Sequence, residues 1–187
     1  MSMWEILPDG NVCRSFHIID RSPGEIIDMK AHFRSGQTVG RAWTPWHVEL
    51  FEGEDEDKKP IGNFPSLGGS VPLAISAQAL EVLNTLIKDN VEVLDLMTHV
   101  GKFYALNVFT SNCLDHSRSV FERFSDGGIM RVDKYAFRPG TLKGKHIFRI
   151  PEVWSHTFVD DVFKQAVEKN RLKGLLFYPI PEVDTAE

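Results

Sequence analysis

The side chains able to do chemistry in this chain are dispersed. Of its seven histidines none belongs to a helical His pair, a Cys/His finger or the His/carboxylate spacing that holds zinc. His47 and Glu49 stand two apart, on one face if the segment is a strand, but a lone pair falls short of a metal site. No Gly-x-Ser-x-Gly elbow presents a nucleophilic serine. Gly68-Gly69 precedes no phosphate-gripping Lys and Ser/Thr. Asp115-His116-Ser117-Arg118 gathers an acid, a base and a hydroxyl, yet catalytic triads are assembled from distant segments because sequence neighbours rarely point together. The simpler role is a turn capped by Asp115 or Ser117 that leads into residues 120–124. Cys13 and Cys113, far apart and in no metal-binding spacing, read as reduced, partly buried small hydrophobes, and Cys113 has no adjacent activating base.

Two features suit binding better than catalysis. Trp43 and Trp46, with Phe51, are large enough to anchor a protein contact, although the same rings could fill a core beneath N-terminal strands. Glu52, Glu54, Asp55, Glu56 and Asp57 follow directly, in a stretch (residues 52–60) expected to be a solvated, mobile loop. Together they form the patch chosen for a partner. The expected site residues are Trp43, Trp46, Glu52, Glu54, Asp55, Glu56 and Asp57.

The elements that must hold this patch follow from periodicity and turn residues. The first forty residues read as short strands and turns, with a strand over 12–19 and a break at Ser22-Pro23-Gly24. Residues 76–89 predict a helix: Ser76 caps it, Leu80, Leu83 and Ile87 line one stripe, and Asn90 ends it in the left-handed conformation. A hairpin over 92–98 and 102–109 bends at Gly101. Strands are expected over 129–137, 146–150 and 175–178. Between the last two lies a helix over 160–173, with Asp160 and Asp161 at its positive end and Gly174 as its cap. The acidic tail beyond Pro179 reads as frayed. Strands without regular helix alternation predict an α+β fold, a mixed and mainly antiparallel sheet covered by two principal helices that bury Leu80, Leu83, Phe163 and Val167.

With 187 residues, thirteen Phe and four Trp, the chain can build a core without metal or disulfide staples. One domain over 1–187 is expected, with a strand-rich part at 1–60 and a main body at 61–180. A net charge of −5 disfavours phosphate backbones, so nucleic acid is not expected as a partner. The N-terminus lacks a secretory pattern and no run of about 18 apolar residues occurs, which argues for the cytoplasm and against a membrane span.

Several blocks fall in a meaningful order. Residues 60–67 (Pro-Ile-Gly-Asn-Phe-Pro-Ser-Leu) precede Val71-Pro72-Leu73-Ala74-Ile75-Ser76 and then Ala79-Leu80. Lys102-Phe103-Tyr104-Ala105-Leu106-Asn107-Val108, Leu114-Asp115-His116-Ser117 and His146-Ile147-Phe148-Arg149-Ile150-Pro151-Glu152 follow. Phe158-Val159-Asp160 and Leu172-Lys173-Gly174-Leu175-Leu176-Phe177 close the series. Over roughly residues 40–180 this order resembles immunity-protein family eleven, the myxobacterial-type immunity domain of polymorphic toxin systems. The resemblance implies a non-catalytic protein that binds and neutralises a co-encoded toxin, with no catalytic residues to carry over. The alternatives are a small hydrolase assembled from His47, Asp115 and His116, and a general protein-binding adaptor. No cofactor and no metal are expected. Elemental analysis of protein purified without an affinity tag should therefore find no stoichiometric metal, and one metal per chain held by three side chains would contradict this reading.

Overall fold

Ser76 and Asp160 start the two helices that the sequence marks most clearly. The Ser76 hydroxyl accepts from the Ala79 amide at 3.2 Å, and an Asp160 carboxylate oxygen accepts from the Phe163 amide at 2.9 Å. Each satisfies an amide that a helix N-terminus leaves without a partner. The structure, a computed structural model, describes residues 2–68 and 72–180; Gly69, Val71 and the acidic tail beyond residue 180 lie outside it. In chain order, strands β1 (Met3–Pro8) and β2 (Phe16–Ile18) precede helix α1 (Pro23–Ser35). Strands β3 (Trp46–Leu50) and β4 (Leu73–Ser76) lead into α2 (Ala77–Ile87). Two hairpins follow, β5 (Val91–Met97) with β6 (Phe103–Val108), then β7 (Val120–Arg123) with β8 (Ile129–Lys134). Strands β9 (Ile147–Phe148) and β10 (Thr157–Asp160), helix α3 (Asp161–Lys169) and strand β11 (Leu175–Pro179) complete the described elements.

The fold is α+β and mainly antiparallel, as expected, but its strands divide among sheets. One sheet has the order β2-β3-β5-β6-β4, a second has the order β11-β1-β10-β9, and β7-β8 is a separate ribbon. Only β3 and β5 pair in parallel among the described strands. The single sheet expected from 92–109, 129–137, 146–150 and 175–178 is thus corrected, because residues 129–134 pair with 120–123 instead. The N-terminal β1 lies between β10 and β11, with Glu5 opposite both Phe158 and Tyr178. The first strand is therefore interior to the sheet that the end of the chain builds.

Three cores result from the two faces of the two sheets. The central one joins α2 and α3 to one face of each sheet: Leu83 and Phe163 meet Ile6, Val159, Ile75 and Leu106. A second lies between the other face of the four-stranded sheet and the β7-β8 ribbon, where Phe148, Phe158 and Phe137 pack. The third lies on the other face of the five-stranded sheet, where Phe16, Trp46, Val48 and Phe103 meet Phe33 of α1. Alternation along β6 produces this division, since Phe103 and Ala105 face the third core while Leu106 and Val108 face the central one.

Several local expectations change. Helix α1 replaces the expected break and irregular stretch: Ser22 and Glu25 form a reciprocal capping box, Pro23 opens the helix and Gly36 ends it with φ 67°. Gly36 is needed there, since a Cβ would sit 2.3 Å from the Thr110 hydroxyl. The strand expected over 12–19 shrinks to Phe16–Ile18, because the Val12 and Cys13 amides close a turn on the Asp9 carbonyl. Leu80 is half-buried at the edge of the central core, whereas Leu83, Phe163 and Val167 are buried as expected. Asn90 does not take the left-handed conformation; α2 ends at Lys88 in a right-handed one. Helix α3 stops at Lys169, and Arg171, at φ 53°, turns the chain in place of Gly174.

Residues 60–67 link these layers. The Pro60 carbonyl accepts from the Arg14 amide and the Ser66 carbonyl from the Phe16 amide. Asn63 exchanges backbone bonds with Lys173 and Ser76, accepts from the Lys173 amide on Oδ1 at 2.9 Å and donates from Nδ2 to the Ser76 hydroxyl at 2.9 Å. Asn63→Ala removes these side-chain bonds and should lower stability by about 1–3 kcal/mol in urea unfolding, with an unchanged slope.

Candidate functional site

The two tryptophans enter β3 from one end. Trp46 is buried in the third core, edge-on to Phe33 with ring centroids 6.1 Å apart, so it offers no contact surface. Its role is the core packing that the sequence also allowed. Trp43 is half-buried, its ring 5.0 Å from that of Trp46, and its indole N–H donates to the Asp95 carbonyl at 3.0 Å. The turn that delivers Trp43 is held by Glu92, whose carboxylate accepts from the Val39 and Gly40 amides, each at 2.7 Å, and from the Asn107 amide group at 3.1 Å.

The acidic residues leave β3 from its opposite end. Five residues of strand span roughly 17 Å, so Trp43 and the acidic segment do not form one continuous patch. Glu52, Glu54 and Asp55 are exposed, and Asp55 pairs with Lys58 at 3.3 Å. Asp57 bonds Arg14 at 2.7 Å, Arg14 also donates to the Phe51 carbonyl, and Lys59 pairs with Glu56 while donating to the Gly10 carbonyl at 2.7 Å. The Lys59 ammonium, donating to Glu56, holds that carboxyl below its ordinary range. The segment expected to be an unanchored mobile loop is therefore tied at Glu56, Asp57 and Lys59. The one cation from outside the run is Arg14, 43 residues before Asp57, the others being Lys58 and Lys59 of the run itself, and Glu52, Glu54 and Asp55 have no ion pair to the body among the described residues.

Beside this segment the five-stranded sheet is left half-covered. Helix α2 packs on the half formed by β4 and β6 and reaches Val91 at the start of β5, and among the described residues no helix covers β2, β3 or the rest of β5 on that face. Opposite the third core, β3 presents His47, Glu49 and then Phe51, β2 presents His17 and then Ile19, and β5 presents Val93, Asp95 and Met97. His47 sits opposite Met97 and His17 opposite Glu49 in the register. Where β5 turns into β6, a cleft of about 660 Å³ opens among Ile19, His47, Glu49, Met97, His99 and Lys102. The sequence shows which of these residues share a face; it does not show that no layer lies over them.

The dispersed chemical groups stay dispersed. Asp115 caps its own turn, accepting from the Ser117 amide and hydroxyl and from Arg118, as the simpler sequence reading expects. The Ser117 hydroxyl and Arg118 together hold its carboxyl far below the ordinary range, so it is no proton donor near neutrality. His116 pairs with Glu152, His146 with Asp160 at 2.8 Å and His156 with Glu5 at 2.8 Å, each in its own place. His47 lies on β3 in the other sheet from these pairs, so His47, Asp115 and His116 do not assemble. Burial pushes the Cys113 thiol up, away from the reactive thiolate. Among the described residues no group of three or more His, Cys, Asp or Glu is placed to hold a metal, and no helix is long and apolar enough to cross a membrane.

From the start of β5 to the end of β11 the chain also matches a family model, that of an immunity protein family, over residues 90–182. That family is the immunity protein family Imm11, and residues 90–182 match it. No curated protein matches the chain. The Imm11 segment supplies Val93, Asp95 and Met97 of the half-covered face, whereas Trp43 and the acidic residues precede it.

Glu92, at the front of the Imm11 segment, offers a direct test of how the Trp43 turn is held. Burial pushes its carboxyl up, but the Val39 and Gly40 amides and Asn107 outweigh it and leave it below the ordinary value of about 4.3. A depressed folded value means stability that is present above the ordinary value and lost as pH falls through the lower one. Glu92→Gln should destabilise the protein by about 1–2 kcal/mol at neutral pH, and the difference from wild type should shrink below pH ~4.3 in urea unfolding.

Proposed function

We propose that this protein is a non-catalytic immunity protein, acting in the cytoplasm, that binds a cognate toxin of a polymorphic toxin system and neutralises it by occupancy. The match of residues 90–182 to the Imm11 family carries this reading. The dispersal of its His, Cys and carboxylate groups supports binding over hydrolysis, since a hydrolase needs nucleophile, base and orienting group within hydrogen-bond reach. Residues 1–187 act as one folding unit in this reading, because β1 is hydrogen-bonded between β10 and β11.

The acidic segment is the steering element. Glu52, Glu54 and Asp55 project from the body, while Glu56 and Asp57 spend part of their charge fixing the segment in place. Trp43, half-buried, contributes an edge near the far end of β3, and Trp46 supports it from below. A protein that must meet a toxin before damage is done gains from long-range attraction, which raises the encounter rate with a basic partner and weakens with salt.

Neutralising the projecting carboxylates together (Glu52→Gln, Glu54→Gln and Asp55→Asn) should slow association about tenfold at low salt and flatten its salt dependence, with the melting temperature unchanged. Stopped-flow mixing with the toxin domain encoded beside this gene measures it. An unchanged rate removes the acidic segment from the docking reaction, and the absence of any complex with the wild-type protein removes the toxin reading itself.

A further inference from the structure

We propose that the uncovered face of β2, β3 and β5 is the surface that grips the toxin, through a toxin segment that places an apolar side chain against Met97 and Ile19 and a Lys or Arg against Glu49. This rests on the reading above that the partner is a toxin, and it adds the surface and the chemistry of the segment bound.

One face of this sheet is buried in the third core, and its other face is covered by α2 only over β4, β6 and the start of β5. The open half carries Val93, Met97, Ile19 and Phe51, which are 40%, 47%, 48% and 52% exposed. Their register makes them one surface: Ile19 bonds the His47 backbone, His47 sits opposite Met97, and the Phe51 ring stands edge-on to His17 at 6.0 Å. Apolar side chains set among His17, His47 and Asp95 on one sheet face make a mixed surface of the kind protein interfaces use, which singly scattered apolar residues do not. The cleft of about 660 Å³ at its end is large enough to take side chains from a partner.

Glu49 and Asp95 stand on this face and make no ion pair among the described residues. The arginines on neighbouring segments are already engaged, Arg14 by Asp57 and Arg21 by Asp20. Lys102, which lines the cleft, lies over the Tyr104 ring at 5.3 Å and interacts electrostatically with Asp95, so Glu49 is the carboxylate left for an incoming cation. Glu52, Glu54 and Asp55 continue the negative field from the strand that ends at Leu50, next to Phe51. A cationic group entering here meets carboxylates with few competing cations, which selects a basic partner over an acidic one.

The β7-β8 ribbon also exposes apolar residues, but there Arg131 is paired with Glu122 and Asp133. Arg123 and Lys134 add positive charge to the same ribbon, so it does not draw a basic partner. It therefore serves as the control: Met130 is 45% exposed, close to Met97.

The test uses the full chain and the toxin domain that the immunity reading expects to be encoded beside this gene. Met97→Lys and Glu49→Lys should each raise Kd about tenfold or more, Met97→Lys mainly by faster dissociation, while Met130→Lys stays within about twofold of wild type. All three positions are exposed, so melting temperatures should be unchanged. In wild-type protein with 13C-labelled methionine methyls, the Met97 signal should shift on adding the toxin domain and the Met130 signal should not, which needs no variant to fold. A wild-type complex that both variants match within about twofold, or in which the Met97 methyl does not move, overturns this face while leaving the immunity reading intact. Failure of the wild-type protein to bind overturns the reading beneath it.

Discussion

The strap at residues 60–67 is the constraint on which the rest of this structure depends. It runs between the two sheets and hydrogen-bonds to the edge of one, at Arg14 and Phe16, and to the entrance of the other, at Lys173. It passes close enough to both that side chains must be absent. A Cβ on Gly62 would lie 2.5 Å from the Cys13 sulfur, and one on Gly174, where φ is 106°, would lie 3.1 Å from the Phe64 carbonyl oxygen. Phe64 and Leu67 then drop into the central and third cores from the same strap. Asn63 uses its amide N–H, carbonyl and both side-chain ends at this crossing, so the cap of α2 and the turn after α3 are fixed by one residue. Because α2 and α3 pack on each other, fixing those two points sets how the helical layer lies over both sheets.

That placement accounts for the half-covered sheet. Helix α2 follows β4 directly, with Ser76 both the last strand residue and the cap, so it must return over the strands nearest β4. Those are β6 and then β5; its buried stripe of Ala79, Leu83 and Ile87 reaches Val91, and Val93 is already exposed. Helix α3 is held against the other sheet through Phe163 and Val167. Helix α1 lies on the opposite face, where Phe33 meets Trp46. No described helix is left for the outer side of β2 and β3. The open face is thus a consequence of connection lengths, and its apolar residues stay in water unless a partner covers them.

What the sequence disclosed, and what it hid, follows range of interaction. Helices α2 and α3 and the β5-β6 hairpin carry their own stripes and caps within about fifteen residues, so local pattern suffices to find them. Helix α1 buries Phe33 alone, and periodicity has little to detect; its Ser-Pro-Gly-Glu start was the signal available. The pairing of β1 with β10 and β11 joins residues more than 150 apart, and nothing in Met3–Pro8 names its neighbours. The acidic segment shows the same limit on the scale of a site. Its composition reads as a solvated loop, and the arginine that ties Asp57 down comes from the turn before β2. Trp43 and Trp46 are three residues apart, but the alternation that aims Trp46 at Phe33 buries it and leaves Trp43 at the margin.

Binding and catalysis impose different demands on the same side chains, and this fold meets those of binding. A catalytic group must be held at hydrogen-bond distance from two others at once, whereas a docking surface needs area, complementary charge and rigidity. Here the titratable groups are used singly to hold turns: Asp115 closes one, Asp160 caps a helix, Glu92 holds the entry to β3, and Asp57 pins the acidic segment. Of these contacts, those of Glu92 and Asp57 fix the two ends of β3 and so remove flexibility beside the open face. A rigid rim reduces the side-chain and loop entropy lost when a partner docks, so more of the contact energy remains as affinity. The carboxylates left over, Glu49, Asp95, Glu52 and Glu54, are exposed on that ordered frame; in the proposed docking they would act on the approach of a basic partner and the apolar strand residues on its departure.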